Sequence, residues 1–173
     1  HVLGAINTDF FSTSSGVPIG IVIEDGVYKS SAEGRPAVLI AGEDEDEEEI
    51  SLLESPQVKM TLTNQRTGQS ISPHHLNKLH SESGGLYVLN RDFSTVSTRT
   101  STSGWYVRMK LVEGDPNDPL GSWGSADGSD TLLTVNSTLT LEVPELVRTD
   151  QAATIGEDEY ILTAADASGY LDT

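Results

Sequence analysis

The strongest constraint on this chain is its punctuation: apolar runs of strand length are closed again and again by glycine, proline or an Asx residue. The first is Gly4-Ala5-Ile6-Asn7-Thr8-Asp9-Phe10-Phe11, an apolar run that ends in an amide and a carboxylate with two aromatics behind them. The second, Gly16-Val17-Pro18-Ile19-Gly20-Ile21-Val22-Ile23-Glu24-Asp25-Gly26, reads as a strand between glycine turns. Asp-Gly favours a type I′ hairpin turn, so Ile19 to Ile23 is expected to pair with Val27 and Tyr28. Ala37-Val38-Leu39-Ile40-Ala41 follows the break at Gly34-Arg35-Pro36 and is again of strand length. Such a chain folds as a mainly β structure, in mixed or antiparallel sheets or a barrel-like domain with a few short helices.

The rest of the chain carries the same pattern. Val58-Lys59-Met60-Thr61-Leu62-Thr63 alternates as a half-buried strand does, and Asn64 to Gly68 reads as a turn returning to Ser70-Ile71-Ser72. Strands are expected over Leu86–Leu89, Gly104–Leu111, Thr138–Val143 and Tyr160–Ala164, the last introduced by the acidic turn Gly156-Glu157-Asp158-Glu159. Ser72 and Pro73 are good N-cap and first-turn residues, so Pro73 to His80 is expected to form a short helix. Residues 113–130, rich in Gly, Asp, Pro and Ser, read as a long loop anchored by Trp123.

Charge narrows the function. Asp and Glu outnumber Lys and Arg by 27 to 10, for a formal charge of -17, which argues against a nucleic-acid partner because such binding rests on cationic neutralisation of phosphates. No apolar run reaches the roughly 18 residues of a membrane span. Without cysteine, stability comes from packing alone, with no disulfide, thiolate metal site or cysteine nucleophile. Seven consecutive carboxylates, Glu43 to Glu49, read as a solvated, self-repelling loop. Calcium matches their ligand chemistry, but the block lacks the central glycine and spaced positions of an EF-hand loop. The stretch between Lys110 and Arg148 holds no cation, so it suits calcium or a basic partner better than an anionic ligand.

The histidines at 74, 75 and 80 do not show the i, i+4 pair of a helical zinc site, His80 standing five and six residues after the others. No metal is assigned. Gly121-Ser122-Trp123-Gly124 is not a nucleophile elbow, and no phosphate loop or dinucleotide fingerprint is present.

Ala5-Ile6-Asn7-x-Asp9-Phe10-Phe11, then Gly16-x-Pro18-x-Gly20 and Asp25-Gly26, resemble the opening motif of the phosphodiester glycosidase family. That family includes the lysosomal uncovering enzyme and bacterial envelope proteins described as exopolysaccharide-related. Leu86-Tyr87-Val88-Leu89, Phe93-Ser94-Thr95, Ser97-Thr98-Arg99-Thr100 and Gly104-Trp105-Tyr106-Val107 resemble a β-rich segment that some bacterial members carry later. The family's His-Pro-Arg-Thr-Ala-like strand and late Asp-Gly-Gly-Gly-Ser-like turn have no counterpart. The resemblance therefore implies a partial domain of a bacterial, extracellular or envelope protein: one unit over 1–173, with opening motif and acidic loop in 2–57 and a β-rich extension over 58–173.

The activity implied is hydrolysis of sugar phosphodiesters or envelope polysaccharide, completed by the remainder of a longer protein, with this chain inactive alone. Asp9 is the candidate catalytic carboxylate, because glycosidic cleavage calls for paired carboxyl groups. Asn7 would orient the substrate beside it, and Phe10 would stack on a sugar face. Adjacent strand residues point to opposite sides, so at most one of Phe10 and Phe11 faces a ligand. Arg99, a fixed cation among hydroxyls, is the candidate clamp for a carboxylate or phosphate. Asn and Asp after a strand also close turns on their own backbone, a reading of Asn7 and Asp9 that the residues leave open. A second class stays open too: a non-catalytic carbohydrate-binding or adhesion module centred on Trp123 or Trp105.

Overall fold

The computed structural model describes residues 4–6, 11, 13, 16–24, 27–41, 49–56, 60–79, 85–94, 104–116, 139–149 and 152–165. They form strands and turns, with no helix among the described residues, so the mainly β expectation holds. The chain divides into two compact units: His1–Gln57 with Glu113–Thr140, and Val58–Val112 with Leu141–Thr173.

The first unit holds β1 (Gly4–Ile6), β2 (Val22–Glu24), β3 (Val27–Ser30), β4 (Ala37–Ala41) and β5 (Glu49–Leu53) in one sheet of order β3-β2-β1-β4-β5. Every pairing in it is antiparallel. The expected hairpin forms in a shorter strand than Ile19 to Ile23, which starts only at Val22, with Ile23 opposite Tyr28, Glu24 opposite Val27 and a bulge between Val22 and Ile23. Alternation assigns the faces: Ile23 and Ala37 are buried, while Ile50 and Leu52, on the other face of their strand pair, are 70% and 69% exposed. Val17, Ile21 and Val27 complete the described apolar core of this unit.

The second unit contains a two-stranded ribbon, β6 (Leu62–Thr63) with β7 (Ser70–Ile71), and β8 (His75–Leu76), β9 (Leu86–Leu89), β10 (Gly104–Glu113), β11 (Thr140–Thr149) and β12 (Glu159–Ala165). The last five make a sheet of order β11-β10-β12-β9-β8. Central β12 runs antiparallel to both neighbours, and β8 joins β9 in parallel. Leu86 to Leu89 and Tyr160 to Ala164 are buried throughout, as strands covered on both faces must be. Leu89, Tyr106, Ile155 and Ile161 form a core cluster, with Phe93 and Ala153 packed against it.

The ribbon turn is built as expected. Asn64 Oδ1 accepts the Arg66 and Thr67 amides at 3.0 and 3.2 Å, and Gly68 takes the positive φ of 73° that lets the chain return.

The expected helix over Pro73–His80 is overturned across its described part. The His74 amide donates to the Leu86 carbonyl at 2.9 Å and the Asn77 amide to the Val88 carbonyl at 2.9 Å, so backbone groups that a helix would use internally are spent on β9. Asn77, at φ 53°, breaks the run by entering the left-handed region, which asparagine tolerates better than most residues. Boundaries also differ from expectation: the strand expected over Val58–Thr63 begins, in its described part, only at Leu62. β5 begins at the last residue of the acidic run, and β11 continues past Val143 through Pro144 to Thr149, as an edge strand permits.

Candidate functional site

The motif-bearing strand β1 is the middle of its sheet, with Ala5 opposite Ile23 of β2 on one side and Leu39 of β4 on the other. It is paired on both flanks at Gly4 and Ala5 and with Val38 of β4 at Ile6, and side chains are presented most precisely from such held elements. Beyond it, a bridge between Phe11 and Pro18 brings the chain back on itself, with Gly16 at φ 75° in the connection. Phe11 is 61% exposed while Val17 and Ile21 are buried, so the returning limb is anchored and the aromatic faces outward. Asn7, Asp9 and Phe10, between β1 and this bridge, lie outside the described residues, as do Arg99, Trp123 and the carboxylates Glu43–Glu48.

Along the same sheet, Tyr28 carries a buried hydroxyl that makes no geometrically complete hydrogen bond. Burial raises its pKa well above the ordinary tyrosine value; the Ala32 backbone amide offers a weak opposing interaction, and the nearby Glu33 carboxylate adds to the rise. The phenol therefore stays protonated and neutral at any ordinary pH. Beside it Ser30 and Ser31 are buried, and Ser31 Oγ donates to Glu33 Oε1 at 3.3 Å.

The second unit gathers its polar groups for structural work. His74 Nδ1 accepts the Leu86 amide at 3.1 Å, which assigns the proton of the neutral ring to Nε2, and the His75 ring stacks on Tyr87 with centroids 4.4 Å apart. Both histidines fasten β8 to β9. Among the described residues no three His, Asp or Glu side chains come together as a metal-holding group.

Asn77 and Asn90 interlock, Asn77 Nδ2 donating to Asn90 Oδ1 at 2.8 Å and the Asn90 amide to Asn77 Oδ1 at 3.0 Å. Asn90 Oδ1 also accepts the Asp92 amide at 3.0 Å. The Tyr160 pKa is raised chiefly by burial, opposed by a hydrogen bond with the Asn90 side chain, and raised further by Asp92 and Asp158. Arg108 pairs with Glu159 and donates to the Thr154 carbonyl at 2.9 Å, while Glu159 Oε2 accepts the Gly156 amide at 2.9 Å. These groups tie the 154–159 turn to β10.

Sequence reasoning missed Asn77, Asn90, Arg108 and Glu159. Asn90-Arg91-Asp92 had the composition of a turn and offered a local signal; the Arg108–Glu159 pair, 51 residues apart, offered none.

The sequence matches no family model and no curated protein. In structure the chain is similar to part of a hypothetical protein from Synechocystis known from its crystal structure, with a TM-score of 0.60, 15% identity, and coverage of 99% of this chain and 26% of that one. The likeness at this identity shows the fold alone, and the chain spans about a quarter of that protein's length.

Proposed function

We propose that this chain is the amino-terminal part of a bacterial phosphodiester-glycosidase-like protein of the cell envelope or exterior, acting on sugar phosphodiesters or envelope polysaccharide and inactive by itself. The observation that supports the reading best is the central position of β1, since the strand leading into Asn7 and Asp9 is the middle one of five, paired with β2 and β4. Function tends to sit on loops borne by such rigid elements. Asp9 supplies one carboxylate of the pair that cleavage between an anomeric carbon and a phosphodiester calls for, and Asn7 orients sugar hydroxyls or phosphate oxygens. The partner carboxylate comes from the remainder of a longer protein.

The test is incubation of the chain and its Asp9→Asn variant with a chromogenic sugar-1-phosphodiester, alongside calorimetric titration with a non-hydrolysable analogue. The reading expects no turnover, and analogue binding that Asn7→Ala or Asp9→Asn weakens. Brisk Asp9-dependent turnover would defeat the partial-domain claim. Saturable sugar binding indifferent to both residues would replace the reading with a binding module.

A further inference from the structure

Among the described residues the large apolar side chains that stand exposed are Phe11, Ile50, Leu52, Val112 and Val143. Scattered exposed apolar residues are ordinary on a protein surface. Phe11 differs from the other four in being aromatic and in lying outside the named strands, on the segment that follows the β1 motif. The backbone beneath its ring is held. Phe11 bridges half-buried Pro18, whose own ring fixes its φ and whose sequence neighbours Val17, Gly20 and Ile21 are buried. Directly opposed antiparallel residues carry their side chains on one side, with Cβ atoms about 5 Å apart. Phe11 and Pro18 therefore set two apolar rings side by side, the aromatic one 61% exposed.

Covalent reach puts this platform beside the candidate carboxylate whatever path the chain takes between them. Two residues span at most about 7 Å, little more than the width of one sugar ring, so a ligand engaged at Asp9 lies within reach of the Phe11 ring. We propose, resting on the function proposed above, that Phe11 is the specificity-determining residue that selects a pyranose as the sugar of the substrate, its ring stacking on the sugar's C–H face while Pro18 bounds the platform. A pyranose turns its hydroxyls outward at the rim and C–H groups to its faces. Those C–H groups carry the partial positive charge that the negative face of an aromatic ring attracts. Sequence allows only one of Phe10 and Phe11 this role, and the exposed, backbone-held ring of Phe11 takes it. A phosphodiester of an open-chain polyol has no such face, so the platform discriminates against it.

The test is calorimetric titration of the full chain with two probes, a non-hydrolysable pyranosyl-1-phosphodiester analogue and the ring-free diester glycerophosphoglycerol, with proton NMR of the bound sugar. The expected result is tighter binding of the pyranosyl probe by roughly tenfold or more, with its C–H protons moved upfield by the aromatic ring current. Phe11→Ala should weaken that probe by roughly tenfold and leave the ring-free diester unchanged, whereas Phe11→Trp should retain both. Phe11 is exposed, so these variants keep the fold. Equal binding of the two probes, full affinity in Phe11→Leu, or no effect of Phe11→Ala where Asp9→Asn weakens binding would overturn the role of Phe11 and leave the proposed function standing. Binding lost in Phe11→Ala but indifferent to Asp9→Asn would do the reverse, keeping Phe11 as a sugar platform and overturning the glycosidase reading. No binding of either probe would overturn both.

Discussion

The two units share a strand number in their main sheets and differ in how completely they cover them. In the second unit β9 and β12 are buried along their length, the Asn77–Asn90 and Arg108–Glu159 groups satisfy the polar atoms around them, and the edges are short or proline-bearing. In the first, described burial gathers on one face, a buried tyrosine hydroxyl lacks a full partner, and edge β5 offers two large apolar residues to solvent. A sheet whose described polar groups and edges are accounted for reads as scaffold. One that carries the chain into Asn7 and Asp9 from its central strand, and shows large apolar residues at its surface, is where binding is to be sought.

The comparison breaks most sharply at the core. Ile161, fully buried in central β12, should cost about 2–5 kcal/mol when changed to Ala, because neighbours collapse only partly into the cavity. Urea denaturation measures it; a cost below about 1 kcal/mol would show the second unit to be looser than its burial implies. Asn77→Ala should cost about 2–3 kcal/mol, losing both bonds to Asn90 and straining a backbone at φ 53°. Asn77→Gly recovers the backbone part only. Gly85→Ala places a Cβ 2.8 Å from Tyr87 Cε2, a ring that is itself buried and stacked on His75, so a loss of about 1–3 kcal/mol is expected.

How far this architecture was legible follows from the range of each signal. The β2–β3 hairpin and the β6–β7 ribbon announce themselves through Asp25-Gly26 and Asn64 to Gly68, because a tight turn is written in adjacent residues. The segment Pro73–Leu79 carries helix-start residues, yet His75–Leu76 within it form a strand, since their parallel pairing with β9 is a distant contact that overrides local propensity. β5 was hidden behind its carboxylates, although the spacing of Ile50 and Leu52 was a period-two signal. Pro144 ends a strand in sequence terms; only the sheet order shows that β11 is an edge, where proline is harmless. Of the candidate site, the described part is the strand that leads to it and the Phe11–Pro18 bridge beyond.

Two smaller effects sharpen the contrast in the first unit. Tyr28→Phe removes an incompletely bonded buried hydroxyl and should leave stability unchanged or slightly raised at neutral pH. Because burial raises the folded-state pKa of Tyr28, its contribution is whole below the unfolded value of about 10 and is lost as pH rises above it. Alkaline unfolding followed by circular dichroism should therefore be less steep in the Phe variant. Smallest of all, Ile50→Ser and Leu52→Ser should each change stability by no more than about 0.5 kcal/mol, as exposed positions do.

The most direct test of the account follows backbone amides of the labelled chain during titration with a non-hydrolysable sugar-1-phosphodiester. The account expects shifts at the end of β1 and around the Phe11–Pro18 bridge, saturable and lost in Asp9→Asn. Shifts confined to the second unit, or undiminished in that variant, would contradict it.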